Sequence, residues 1–215
     1  MKSVLIIGAG QFGIHIARRM AELRCEIMVV DSDEGRINSI LPYVTNAQIG
    51  NSTNAEFMES LGIDDFDVCI VTISSSFQDS LETTALLKEL GAKKVIARAQ
   101  NDVQEKFLLR NGADEVVYPE GQLASWMVIR YCVDHVLDYI AVDSEHAIYD
   151  VTVPPEWHGK TVGALDIRKK YNLNLLAVRS AGRPNMTVTS DTLLEENQTV
   201  LVLGTWKDIQ KCFKV

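Results

Sequence analysis

The first half of the chain alternates short apolar runs with segments whose apolar residues recur at helical spacing. This alternation is typical of βα units, in which buried parallel strands are separated by helices. Six Val/Ile-rich runs predict strands at residues 4–8, 26–31, 47–50, 68–73, 94–99 and 115–119. We therefore predict an α/β domain over residues 1–119, with a doubly wound, parallel, Rossmann-like sheet.

The helices between these strands have recognisable faces and ends. The segment after the first strand carries a single apolar stripe, formed by Phe12, Ile16, Met20 and Leu23. Gly62, Gly91 and Gly112 fall where later helices should stop, because glycine adopts the left-handed conformation that ends many helices. These signals support the α/β assignment independently of the strand pattern.

The pattern changes after residue 119. Residues 120–142 are apolar over more than one helical face, which predicts a long helix buried on two sides. Its length and its Trp126 and Met127 favour pairing with a second subunit over packing on the sheet alone. Residues 143–215 predict a small α+β domain, with strands at 147–153, 174–179, 186–189 and 199–204, helices at 162–171 and 207–213, and a turn at 181–184.

Composition excludes several classes of function. The net charge of −8 and the lack of a dense Lys/Arg cluster argue against nucleic acid as a partner, since that binding depends on phosphate neutralisation. The four cysteines form no Cys-x-x-Cys pair, and the four histidines have no ligand at metal spacing, so neither zinc nor redox chemistry is predicted. The short apolar run at the start is no signal peptide, and we expect a cytoplasmic protein.

The strongest chemical signal is the G-x-G-x-x-G motif from Gly8 to Gly13. It directly follows an apolar strand and opens an amphipathic helix, which is the context that dinucleotide-binding turns require. Phosphates would bind the free N–H groups at the helix start. Asp31 ends the second strand at the spacing expected for a carboxylate that accepts hydrogen bonds from ribose hydroxyls, and it disfavours a 2′-phosphate.

Other polar residues follow strands at the same predicted edge. Those after the third and fourth strands are equally compatible with ligand binding and with helix capping, and Arg98 needs either a phosphate or a carboxylate partner. The candidate nucleotide-binding set is Gly8, Gly10, Gln11, Phe12, Gly13, Asp31, Ser32, Asn51, Ser52, Thr53, Thr72, Ser74 and Arg98. We identify no catalytic residue.

With these motifs the sequence resembles the RCK/KTN family, the cytosolic regulatory subunits of Ktr- and Trk-type potassium uptake systems, over its whole length. The stretches that carry the resemblance are residues 7–13, 28–31, 50–53, 86–90, 97–101 and 112–120, followed by a TrkA-C-like tail. The resemblance implies a nucleotide-binding lobe, a crossover helix and a small C-terminal lobe.

The resemblance also implies partners and ligands. It implies a homodimer that assembles into a ring, an octamer, beneath a membrane potassium-translocating subunit, at the inner face of the cell membrane. It implies ATP or ADP at the glycine turn, with NAD(H) as the other option, and a divalent cation (Mg or Ca) held by Glu120 at the dimer interface. Some relatives bind cyclic di-AMP in the C-terminal lobe. Ktr-type members that distinguish ATP often carry Arg at the position of Gln11, and a neutral Gln cannot offset a terminal phosphate, so NAD(H), AMP and ADP stay open as ligands.

Three functions compete on the sequence. The leading hypothesis is a regulatory module, not an enzyme, in which nucleotide binding switches the conformation of the dimer and ring. The alternative is an NAD-dependent oxidoreductase, because a glycine turn alone does not separate a sensor from an enzyme. Against it, no Tyr is followed four positions later by Lys, and the C-terminal domain offers no convincing acid/base pair. The third is a scaffold that has lost its ligand.

Overall fold

The structure, a computed structural model, describes residues 1–214, and the chain divides into two compact units, Met1–Gly121 and Gln122–Val215. The first unit contains six strands: β1 (Ser3–Ile7), β2 (Glu26–Asp31), β3 (Asn46–Ile49), β4 (Val68–Val71), β5 (Val95–Arg98) and β6 (Glu115–Val117). Its helices are α1 (Gln11–Glu22), α2 (Glu34–Ile40), α3 (Ala55–Glu59), α4 (Phe77–Glu89) and α5 (Asp102–Arg110), and α6 (Pro119–Cys132) begins in it.

The six strands form one parallel sheet in the order β3-β2-β1-β4-β5-β6. Side chains of β1 alternate between two cores: Val4 and Ile6 pack with α1 and α2, and Leu5 and Ile7 pack with α3, α4 and α5. A strand covered on both faces needs apolar residues at every position, which is why these runs lack a polar alternation. The predicted doubly wound α/β fold is confirmed, with all six strands within two residues of their predicted ends.

The second unit is built on an antiparallel sheet. Its strands are β7 (Val136–Ala141), β8 (His146–Thr152), β9 (Asn174–Ser180), β10 (Arg183–Asn185) and β11 (Thr199–Thr205), in the order β10-β9-β11-β8-β7. Its helices are α7 (Val162–Leu165), α8 (Ile167–Tyr171) and α9 (Trp206–Phe213). The core includes Tyr149, Trp157, Val202, Ile209 and Phe213. This small α+β architecture matches the prediction.

Three predicted elements of this unit are wrong in detail. The crossover helix does not reach residue 142: α6 ends at Cys132, His135 takes a positive φ of 71°, and Val136–Ala141 forms β7 against β8. A short apolar run is compatible with either a helix or a strand. For residues 136–141, pairing with β8 selects the strand. The predicted helix at 162–171 is two helices, α7 and α8, because Asp166 between them has φ 50°.

The predicted strand at 186–189 is also misplaced. The strand is β10, and a two-residue turn at Ala181 and Gly182, both with positive φ, joins it to β9. Two consecutive residues with positive φ suit a tight hairpin, because the twist of that turn matches the twist of the strands. Pro184 is tolerated because β10 is an edge strand.

The apolar side chains of α6 are exposed in the single chain. Leu123, Met127, Val128 and Tyr131 are between 48 and 69% exposed, and the helix has no buried residue. The burial that the sequence predicts for this helix is therefore not provided within one chain. Within the described residues, none of the helices combines the length and apolar character that crossing a bilayer requires.

Candidate functional site

The central strands of the parallel sheet end at one level. Ile7 lies opposite Val30 of β2 on one side and Val71 of β4 on the other, so the residues that follow are neighbours. Among them, the Thr72 hydroxyl lies 2.6 Å from the carbonyl oxygen of Gly8 and donates a hydrogen bond to it. In open parallel sheets, the crevice that binds ligands forms at this edge, where the strand order reverses.

The glycines of the turn have different structural roles. Gly8 has φ 106°, and a Cβ there would lie 2.8 Å from the Thr72 hydroxyl, so the turn requires glycine. A Cβ on Gly13 would overlap the carbonyl oxygen of Gly8, so glycine allows α1 to pack closely on the turn. A Cβ on Gly10 would meet no atom within 4 Å. Gly10 therefore leaves open space beside the start of α1.

The start of α1 is suited to an anion. Gly10 is the N-cap residue, so no side chain accepts a hydrogen bond from the first turn, and that turn has no acidic residue. The first N–H groups of a helix have no intrahelical acceptor, and the macrodipole adds positive charge there. A phosphate group can accept hydrogen bonds from these groups without further protein support.

Asp31 connects two loops at this edge. Its side chain is 5% exposed. One carboxylate oxygen accepts a hydrogen bond from the backbone N–H of Ala9 at 2.7 Å, and the other accepts from Asp33 at 2.9 Å. Arg36 Nη1 lies 3.6 Å from the same carboxylate. A carboxylate has about four acceptor sites, so Asp31 can still accept from ribose hydroxyls while it fixes the glycine turn.

These residues surround a cleft of about 620 Å³, within the range of small-molecule sites. The residues predicted from the sequence that line it are Gly8, Gly10, Gln11, Phe12, Asp31, Ser32, Asn51, Ser52, Thr72, Ser74 and Arg98. Three predicted residues lie outside its lining. Gly13 packs behind the turn, Thr53 donates a hydrogen bond from its hydroxyl to Asn51 at 3.0 Å, and Glu120 forms an ion pair with Arg98.

The loops after β3 and β4 have internal hydrogen bonds as well as cleft-facing atoms. The Ser52 hydroxyl lies 2.8 Å from the Thr83 hydroxyl of α4 and is buried. The Ser74 carbonyl accepts a hydrogen bond from Gln100 at 2.9 Å. The helix caps in these loops are Asn54 and Ser76, which are not among the predicted site residues. The capping alternative for the predicted residues therefore does not hold.

Arg98 lies at the end of β5 and is largely buried, with 15% of its side chain exposed. It pairs with Glu120, which lies in the first turn of α6. Its guanidinium carbon also lies 5.2 Å from the ring centroid of Phe12, a cation–π distance. Arg98 thus faces the first turn of α1 across the cleft.

Sequence reasoning missed several residues of the cleft, namely Asp33, Arg36, Ser39, Ser75 and Asp79. Asp33 is the N-cap of α2 and accepts a hydrogen bond from the Arg36 N–H at 3.0 Å. The first turn of α2 thereby places Arg36 beside Asp31. An Asp two residues after the strand-ending acid is a recognisable N-cap, and that signal could have identified Arg36.

The described residues form no metal-binding cluster, and two of the four cysteines, Cys69 and Cys212, are buried. Across residues 1–214, no group of three or more His, Cys, Asp or Glu side chains could hold a metal ion. Glu120, the residue implied to bind a cation, is paired with Arg98 in the single chain. Burial raises the pKa of Cys69 and of Cys212 to about 12, so both remain protonated thiols at neutral pH.

Two family models match the chain. The TrkA-N domain model matches residues 4–119, and the TrkA-C domain model matches residues 146–215. The chain is 33% identical to the Ktr system potassium uptake protein C of Bacillus subtilis (strain 168) and 30% identical to protein A of the same system. Each alignment spans 210 residues and covers 98% of this chain and 95% of the relative.

Solved structures share the fold. The RCK domain of GsuK superposes with a TM-score of 0.67 at 21% identity, covering 97% of this chain and 46% of that one. The GsuK channel bound to NAD gives a TM-score of 0.64 at 20% identity, covering 96% of this chain and 38% of that one. The structure of GsuK bound to ADP gives a TM-score of 0.54 at 19% identity, covering 60% of this chain and 34% of that one. The chain spans less than half the length of these structures, and the likeness at this identity shows the fold.

Proposed function

This chain belongs to the family that joins a TrkA-N domain to a TrkA-C domain, and from that premise we propose that it is a nucleotide-sensing regulatory subunit of a potassium uptake system. The observation that carries the proposal is the uncapped start of α1 facing a cleft that also contains a buried carboxylate, Asp31. The relatives that are similar over nearly their whole length are named as potassium uptake proteins.

The ligand we propose is an adenine nucleotide, with ATP or ADP first and NAD(H) second. Its phosphates bind the N–H groups of Gly10, Gln11 and Phe12, and its ribose hydroxyls donate hydrogen bonds to Asp31. The buried charge of Asp31 disfavours a 2′-phosphate, which argues against NADP. Solved structures of GsuK contain NAD or ADP, which supports this ligand class.

The regulatory part of the proposal concerns α6. Its exposed apolar residues, among them Leu123, Met127 and Tyr131, form the surface through which two copies pair. The dimers assemble into a ring, an octamer by resemblance, at the inner face of the membrane beneath the potassium-translocating subunit. Nucleotide binding favours one geometry of the dimer, and a coupling of ~1–3 kcal/mol per site is sufficient for a switch in a ring.

Two further ligands belong to the same proposal by resemblance. Glu120 holds a divalent cation, Mg or Ca, at the dimer interface when a nucleotide is bound, and cyclic di-AMP binds the second unit. For Glu120 to bind a cation, its ion pair with Arg98 must first open. Both ligands are tested by thermal shift, with Mg²⁺ or Ca²⁺ added together with each nucleotide and with cyclic di-AMP added alone.

The test is a thermal-shift panel of ATP, ADP, AMP, NAD and NADH, with and without Mg²⁺, on the wild type and on Gly10→Val. At a nucleotide concentration of about 100 Kd, binding should add roughly 2.7 kcal/mol of stability and raise Tm by several degrees. Gly10 has φ −69°, which any residue adopts, and its side is open. The Val side chain should therefore abolish the shift without unfolding the protein.

Gly10→Val changes the N-cap residue of α1, and the matched control, Thr205→Ala, changes the N-cap residue of α9 in the second unit. The control therefore weakens the start of a helix that lies outside the cleft. It should lower Tm and retain the nucleotide shift. No shift with any nucleotide in the wild type would refute the sensor proposal. Rapid NADH oxidation with common carbonyls or quinones would instead favour the oxidoreductase alternative.

A further inference from the structure

Two arginines line the cleft, and they lie on opposite sides of β1. Arg36 follows β2, and Arg98 ends β5, whereas β1 lies between β2 and β4 in the sheet. Arg36 is held beside the carboxylates of Asp31 and Asp33, at 3.6 and 3.9 Å. Its charge is therefore offset by two acids at the ribose end. Arg98 lies at the other end, where the phosphates farthest from the ribose would lie.

Arg98 is only partly satisfied by its carboxylate partner. The Glu120 carboxylate accepts from Nη2, while Nε is buried and has no acceptor among the described residues. A guanidinium normally presents adjacent N–H groups as a fork, and a buried donor without an acceptor is costly. A phosphate group presents several oxygens and can accept from both nitrogens of this fork.

We infer that Arg98 is the residue that distinguishes nucleotides by their number of phosphates: it exchanges Glu120 for a phosphate of ADP or ATP beyond the α-phosphate, which is the only phosphate of AMP. This inference rests on the proposed function, because it assigns a role within the same nucleotide site. A terminal phosphate carries about −1.5 to −2 charges at neutral pH, whereas the carboxylate carries one. Gln11, in the first turn of α1, has no charge to offer it.

The exchange does not leave Glu120 without compensation. Glu120 lies in the first turn of α6, where the positive end of the helix dipole stabilises a carboxylate. Its side chain is 54% exposed, so water solvates it once Arg98 has moved away. The helix dipole and water thus both stabilise the Glu120 carboxylate after Arg98 has left it, so its unpaired charge costs little free energy. The exchange also frees the first turn of α6, the helix that we propose for subunit pairing.

The experiment measures Kd for AMP, ADP and ATP by isothermal titration calorimetry on the full chain, in EDTA, so that no divalent cation contributes. Arg98→Gln should raise the Kd for ADP and for ATP by roughly ten- to hundredfold, the range for a lost hydrogen bond to a charged group. It should change the Kd for AMP much less. Arg98→Lys keeps the charge without the fork and should give an intermediate loss. Arg110→Gln, an exposed arginine of α5 outside the cleft, should change none of the three values.

Glu120→Gln gives an independent test in the opposite direction. This substitution removes the carboxylate that competes with phosphate for Arg98. It should therefore lower the Kd for ADP and for ATP and leave the Kd for AMP unchanged. Equal losses for all three nucleotides in Arg98→Gln, or unchanged ATP binding in Glu120→Gln, would overturn the role of Arg98 while the sensor proposal stands. If the wild type binds none of the three nucleotides, the proposed function itself is wrong, so the two failures are distinguishable.

Discussion

The Thr72 hydroxyl is expected to hold the glycine turn in place, and replacing it by a methyl group in Thr72→Val tests this. Thr72 is 3% exposed. Its Oγ1 lies 2.6 Å from the Gly8 carbonyl oxygen and 3.1 Å from that of Ile7. Valine has nearly the same shape, but it leaves the Gly8 carbonyl without this donor. Loss of a partner for a buried polar group costs about 1–3 kcal/mol, and a methyl carbon cannot approach an oxygen to 2.6 Å.

The matched control is Thr72→Ser, which keeps the hydroxyl and loses only a methyl group, worth about 0.8 kcal/mol. Urea unfolding followed by circular dichroism should therefore rank the free energy of unfolding as wild type, then Ser, then Val. An account based on apolar burial alone places Val above the wild type and Ser below it, since valine buries the most apolar surface and serine the least. If Val is as stable as Ser, the hydroxyl does not hold the turn. The Thr72→Val variant should also bind ADP more weakly than the Thr72→Ser variant.

Three further predictions concern other parts of the chain. Gly13→Ala places a Cβ against the Gly8 carbonyl and should cost about 1–3 kcal/mol in urea unfolding, with weaker ADP binding; unchanged stability would contradict the close packing. The pKa of Asp114 is lowered, first by the hydrogen bond from the Val95 N–H, so its contribution to stability is complete at neutral pH and is lost as pH falls below about 4. Asp114→Asn should therefore flatten the acid limb of the stability profile, and an unchanged limb would refute this. If two copies pair through α6 as proposed, Met127→Glu should shift the dimer toward monomer in light scattering and Met127→Leu should not, and an unchanged mass for Met127→Glu would contradict this surface.

The parallel sheet and the glycine turn could be predicted because their signals are local. A strand buried on both faces is apolar at every position, as in Val4–Ile7, and the glycine motif begins at the residue after it. The placement of Asp31 followed from its position at the end of β2. Each of these features depends on residues that are close in sequence, and the sheet topology then brings their carboxyl ends together.

The remaining features depend on partners that are distant in sequence. Residues 136–141 are apolar enough for a helix or a strand, and only pairing with β8 selects the strand. The strand at residues 183–185 was missed because it contains Pro184, which is acceptable only at the edge of a sheet. The pairing of Arg98 with Glu120 joins residues 22 positions apart, and the sequence identified only that Arg98 needed a partner.

A crystal structure of the chain with ADP tests the central claim most directly. We predict that the diphosphate oxygens lie at hydrogen-bond distance, about 2.7–3.2 Å, from the backbone nitrogens of Gln11 and Phe12, with a ribose hydroxyl at the Asp31 carboxylate. Gly10 should lie against the phosphates. Density for ADP elsewhere on the chain, with nothing bound at the start of α1, would contradict the account.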